Sequence, residues 1–345
     1  MALPLLAACS RSEAGPETDS GTLLLEINPA SIEVKASEYG ELTELERTVN
    51  DYEVFVFNTD GSLSRHLYRQ TGGEVGKTYQ ESLSLPAGEF RIYALLNGSG
   101  MGSKVESEDE LLGLEIGLAE SNSRSGLLQL GSTSASVSMG EGTSVEIRAL
   151  RIVARLHLDS VRNNLPAAYN DVQVTGFMLI NVVGNENLGC SAIHSKWLNR
   201  YGRSTVGNRN SIIDGENYKA SASALTWKTL SEKIPTGEAS SALATNLYCF
   251  RNTLTNLPSG WKPEFEDCAT VAVLITSING TTYYYPVRIN EYIEGAILPN
   301  YSYSMSLTLN NIGSKDPCEM IQLGDLNASI SVDSWGDGGN ADYKY

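Results

Sequence analysis

Leu23, Leu25 and Ile27 stand two residues apart, with Leu24 and Glu26 between them, so the chain opens on a strand with one apolar face. Ile32 and Val34 carry that pattern past the Asn28-Pro29 break. An acidic connector, Glu38 to Glu46, leads to Val49–Phe57 (VNDYEVFVF). The second half of that segment is apolar on both faces, as in a central strand covered on two sides. Asn58-Thr59-Asp60-Gly61 turns the chain, and Phe90 to Leu96 forms another strand after Pro86-Ala87-Gly88. One helix is predicted, where Ser107 and Glu110 match a capping box ahead of Leu111, Leu112, Leu114, Ile116 and Leu118.

From Val145 to Leu158 the alternation is long: Leu150, Ile152, Ala154, Leu156 and Leu158 share one face, and Arg151, Arg155 and His157 form a polar face opposite. The domain boundary is placed near the start of this segment. Asn185 to Ser241 is polar and rich in Gly, Asn and Ser, and reads as extended surface loops. Thr270–Ile278 and Thr281–Ile289 flank Asn279-Gly280, a hairpin signal. Tyr301, Tyr303, Met305, Leu307 and Leu309 alternate with polar residues in a half-buried strand. Leu326, Ala328, Ile330 and Val332 do the same beyond the Ser314-Lys315-Asp316-Pro317 break, up to Trp335. A strand placed after a complete meander either pairs at home or is offered to a neighbour. The body is all-β.

Length changes the picture first, since 345 residues at about 150 per domain suggest two domains. No apolar run after Cys9 approaches the roughly 20 residues of a helical membrane span. The formal charge of −16 argues against nucleic acid, which demands clustered Lys and Arg, and suits a protein facing water outside the cell. Leu6-Ala7-Ala8-Cys9 has the form of a lipobox, which makes Cys9 the lipidated first residue of a mature outer-membrane lipoprotein and residues 1–8 a removed signal remnant. Residues 10–20 form a tether. Cys190, Cys249, Cys268 and Cys318 permit one or two disulfides in an exported protein, with buried free thiols as the alternative.

Candidate chemistry is sparse. His66, His157 and His194 are isolated in sequence, no nucleophile, zinc or phosphate-loop motif is present, and Asp333, Asp337 and the Gly336–Gly339 tail lack the ligand order of a calcium loop. Neither an enzyme nor a cofactor or metal site is expected. Trp197, Trp227, Trp261 and Tyr283–Tyr285 would serve a glycan-binding surface lipoprotein if they formed an exposed platform, and ordinary core packing if not.

Several of these features, in this order, resemble the fimbrillins, the pilus subunits of Bacteroidales. They are the lipobox at Cys9, a first strand followed by the lone Arg47 before VNDYEVFVF, Arg151-Ile152-Val153-Ala154-Arg155, and Tyr283-Tyr284-Tyr285-Pro286-Val287. Leu298-Pro299-Asn300-Tyr301-Ser302-Tyr303, leading to Gly313-Ser314-Lys315-Asp316-Pro317, and the closing strand complete the set. The resemblance implies two transthyretin-like β-sandwich domains with one short helix in the first. On that basis residues 9–47 form the tether and a removable strand (Leu23, Leu25, Ile27), 48–148 and 149–316 the two sandwiches, and 317–345 a donor segment (Leu326, Ala328, Ile330, Val332, Trp335). It further implies a stalk subunit of a surface fimbria contributing to adhesion, an arginine-specific protease cutting after Arg47 with Lys35 as the fallback site, and other fimbrial subunits as partners through strand insertion.

Overall fold

In a computed structural model of the chain, the residues described are 20–30, 42–118, 126–169, 171–194, 197–199, 225–254, 269–289, 296–317, 319 and 326–334. The first half holds strands β1 (Ser20–Pro29), β2 (Thr48–Asn58), β3 (Leu63–Val75), β4 (Tyr79–Pro86), β5 (Gly88–Leu96), β6 (Glu115–Gly117), β7 (Gln129–Val137) and β8 (Gly142–Arg151). Helices α1 (Glu44–Arg47) and α2 (Glu108–Gly113) lie among them. The second half holds β9 (Ala154–Asn163), β10 (Val172–Ile180), β11 (Val182–Val183), β12 (Asn185–Asn187), β13 (Trp197–Leu198), β14 (Trp227–Ile234), β15 (Ala239–Ser240), β16 (Thr245–Cys249), β17 (Val271–Ile278), β18 (Thr281–Arg288), β19 (Tyr301–Leu309) and β20 (Leu326–Ser334).

The first ladder runs β3-β2-β5-β7-β8-β1-β4, but β7 and β8 pair only at Gln129↔Arg151 and Leu130↔Leu150. At that narrow join the ladder folds over, and the two layers bury one core between them. β2, β5 and β7 supply Val54, Val56, Ile92, Ala94 and Val137 to it, while the layer β8-β1-β4 supplies Leu23, Leu25, Ile27, Leu83, Leu85 and Ile147. β2 is apolar on its other face as well, because Phe55 and Phe57 look outward onto α2 and the second half of the chain. That two-sided demand is what its sequence announces.

The chain crosses to the second pair of sheets at Ile152–Val153, between β8 and β9. One sheet is β14-β10-β17-β18 and the other is β15-β9-β19-β20, with β16 also on β9. Between them lie Leu156, Leu158, Phe177, Leu274, Tyr285, Met305 and Leu307. The turn joining β17 to β18 has positive φ at Asn279 and Gly280, as a tight hairpin with the strands' own twist requires.

Three expectations need correction. The helix stops at Gly113 after six residues, because Ile116 and Leu118 follow a period of two and β6 pairs with β12. The stretch expected to be surface loop contains β14, a full strand paired with β10. Its outward residues are polar because it lies at a sheet edge, so few apolar positions mark it. The face carrying Arg151, Arg155 and His157 is buried, not solvated: they are 0%, 2% and 7% exposed. Ile32, Val34, Lys35, Trp261 and the residues beyond Ser334 lie outside the described residues.

Candidate assembly site

β1 is not an edge strand. It lies between β4, to which it is antiparallel from Ser20↔Pro86 to Ile27↔Tyr79, and β8, to which it is parallel from Thr22↔Gly142 to Pro29↔Ala149. Leu23, Leu25 and Ile27 are all but sealed from solvent, whereas Leu24 on the opposite face is half exposed. Three buried aliphatics of this size contribute roughly 1.5 to 3 kcal/mol each. The strand enters tightly, since a Cβ on Gly21 would run into the Ser138 carbonyl oxygen and the Val137 side chain. Without β1, the facing edges of β4 and β8 would lose their partners and a strip of core would open between them.

The last strand is placed differently. β20 pairs antiparallel with β19 alone, from Tyr301↔Ser334 to Leu309↔Leu326, at the margin of the second sandwich's sheet. Leu326, Ala328 and Ile330 rest half-buried against the core, and Val332 is 43% exposed. The alternation that would suit a deep groove is thus only partly used at home.

Arg47 is exposed at the end of α1, one residue before β2 begins. Its neighbours are not. Glu46 is 0% exposed and Thr48 5%. Glu46 Oε1 accepts from the Tyr248 hydroxyl at 2.8 Å and Asn246 Nδ2 at 3.0 Å, and Arg155 lies 3.5 Å away. Its Oε2 accepts from the Thr43 backbone N–H at 2.6 Å, and its backbone carbonyl from Arg151 at 3.0 Å. The Thr48 hydroxyl donates to the Glu44 carbonyl at 2.8 Å, and the Leu127 N–H to the Leu45 carbonyl at 3.2 Å. Burial lowers the Arg151 pKa to about 10, against the pull of the Glu46 carboxylate, which still leaves it charged near neutral pH. The connector is therefore pinned to β8, β9 and β16 through a carboxylate that reads in sequence as one more surface acid. The one signal of α1 in the sequence is the capping-box pattern Thr43-Glu44-Leu45-Glu46; that Glu46 is the anion of two buried arginines shows only in the structure.

The remaining candidates scatter. His66 faces Glu53 at 3.0 Å, His157 pairs with Asn246 at 2.7 Å, and His194 faces Glu186 at 3.2 Å, each in a separate place. Among the described residues no cluster of His, Cys, Asp and Glu could hold a metal, and no helix is long and apolar enough to cross a membrane. Cys190 and Cys249 are free thiols, which excludes two disulfides among the four later cysteines. Burial pushes their pKa values up to about 11 and about 12, so neither is nucleophilic near neutral pH. Cys9, Cys268 and Cys318 lie outside the described residues. Trp227 and Tyr284 pack on the outer apolar cluster of Met178, Ile180 and Val273, while Tyr285 is buried with its hydroxyl on the Asn311 carbonyl at 2.9 Å.

Two β-sandwiches in series, with the first strand buried mid-sheet and the last at a margin, define the chain's class by fold. No family profile and no curated protein matches the sequence. Among solved structures, the chain is similar to a fimbrilin, FimA, from Porphyromonas gingivalis W83, at 13% identity and TM-score 0.65 over 92% of this chain and 98% of that one. It is also similar to a protein assigned to cell adhesion from Bacteroides eggerthii DSM 20697, at 16% identity and TM-score 0.64 over 93% and 98% of the two chains. A second such protein, from Parabacteroides distasonis ATCC 8503, aligns at 17% identity and TM-score 0.61 over 92% and 98%. The chain shares the fold of the fimbrillins over nearly its whole length.

Proposed function

We propose that this chain is a structural subunit of a surface fimbria, of the stalk type, exported as a lipoprotein through Cys9 and polymerised by strand exchange once an arginine-specific protease cuts after Arg47. The observation that carries this reading is the position of β1. It supplies core residues and two sets of backbone partners to the first sandwich, yet joins the body only through the segment that ends at Arg47. Its loss leaves a groove that demands an extended, alternating strand, and β20 of a neighbouring subunit has that form. Leu326, Ile330 and Val332, moved from a sheet margin into such a groove, would gain burial, with main-chain bonds along both rims. The likeness to fimbrial and adhesion proteins supports the same role, and no observation favours the glycan-binding alternative.

The test is assembly of Arg47→Ala protein under the activating protease. Monomers and short oligomers are expected. Long fibres whose subunits retain residues 20–47 would refute the trigger.

A further inference from the structure

Activation at Arg47 is a hydrolysis: the bond from the Arg47 carbonyl carbon to the Thr48 nitrogen breaks, and water supplies the hydroxyl of the new carboxyl and the proton of the new amine. An endoprotease takes its substrate extended over several residues on each side of that bond. Here those residues are helical on one side, and on the other Val49 is sealed in β2 with its ladder partners. The exposed Arg47 side chain is thus a handle on a backbone that cannot enter a cleft without local opening.

The strongest tie against that opening is the pocket around Glu46. Its walls belong to the second sandwich: Arg155 on β9, and Asn246 and Tyr248 on β16. The pocket is built for a carboxylate. Arg155 is further oriented by its Nε bond to the Ser302 hydroxyl at 2.8 Å, and all three walls are buried. Pulling Glu46 out means rehydrating the carboxylate and leaving Arg155 without its anion, so the open form is rare.

We propose that Arg155, Asn246 and Tyr248 form a carboxylate-binding pocket whose ligand is Glu46 of the leader, and that this latch sets the rate at which the bond after Arg47 is cut. The inference rests on Arg47 being the activating site. It assigns to the second sandwich a control over the first: the subunit is held in its uncut form by residues remote in sequence from the cut. After cutting, Glu46 belongs to the departing piece, and its side-chain bonds to the pocket remain as non-covalent ties that must be released for that piece to leave.

Limited digestion of the folded full chain with trypsin, followed by intact mass and N-terminal sequencing of the product beginning at Thr48, tests this. Tyr248→Phe removes one donor to Glu46 and leaves the sequence around the cut untouched, and Glu46→Gln removes the charge. Both should raise the rate of cutting at Arg47 by about tenfold or more, because cleavage follows the population of the open form when opening is fast. A peptide of residues 42–52, with and without the Glu46→Gln change, reports any preference of the protease itself, and its rate should differ little. Cutting at Arg47 at rates indifferent to both substitutions, or a change in Glu46→Gln protein no larger than in the peptide together with no change in Tyr248→Phe, overturns the latch and leaves the trigger standing. Digestion that yields no product beginning at Thr48 removes the trigger, and the latch with it.

Discussion

Glu186 shows how a single side chain organises the second sandwich. Its Oε1 accepts from the backbone N–H groups of Asn187 and Ala192 at 3.0 Å each, while Oε2 receives Arg251 Nε at 2.6 Å and faces His194. Burial alone would push this carboxyl up, but the bonds from His194 and Arg251 hold it below the ordinary 4.5. A carboxylate depressed in the folded state stabilises the fold above its unfolded value and loses that contribution as the pH falls through the folded one. The urea midpoint should therefore fall as the pH drops below about 4.5, and Glu186→Gln should flatten that slope. At neutral pH the variant should be destabilised by about 3 kcal/mol, since Arg251 is left buried without its anion. Superimposable pH profiles for the two proteins would contradict this. At this scale the sequence is misleading in one direction: Glu46, Arg151, Arg155 and Glu186 all have the composition of a solvated surface, and only their mutual contacts explain their burial.

Strands differ in how openly they declare themselves. β1, β2, β5, β19 and β20 are legible because their apolar residues keep a strict period or fill both faces, which is how burial writes itself into a β-sheet. β3 and β7 are not: Leu63–Val75 is largely polar and at most half-buried at a sheet edge, and Gln129–Val137 is built mostly from Gly, Ser, Thr and Ala that pack without bulk. The two partners of the proposed exchange were thus both visible, whereas the pocket that pins α1 was not, because it joins residues about a hundred or two hundred positions apart. Ile330 provides the test of the donor element. In the uncut subunit it is half-buried opposite Met305 at a sheet margin, so Ile330→Asp can turn its carboxylate toward water and the monomer should still fold. In a neighbour's closed groove the same carboxylate would meet no water and no cation. Protease-treated Ile330→Asp protein should remain monomeric by size-exclusion chromatography and show no fibres by electron microscopy. Fibres of normal length, or loss of folding in the uncut monomer, would place β20 permanently in its own sheet.

For the whole molecule, the proposal places delivery on Cys9 and assembly on β1 and β20 together. If Cys9 carries the lipid, fatty-acid labelling should be abolished in Cys9→Ala protein and the unprocessed precursor should fail to reach the surface; undiminished labelling would remove the anchor from the account. The proposed exchange has a geometric consequence set by where the two strands sit. β1 occupies a slot in one sandwich and β20 lines the margin of the other, so a joint between copies made by these elements joins unlike surfaces. Such a joint is heterologous, and unless successive rotations close a ring it propagates without limit. A filament built by the proposed exchange would have polarity: one terminus would show an empty slot and the other a strand with no slot to fill. Elongation of such a filament would be stopped from one side by a subunit whose own slot stays sealed, and from the other by one lacking the last strand, so fibre length would become a matter of the ratio of such caps to stalk subunits.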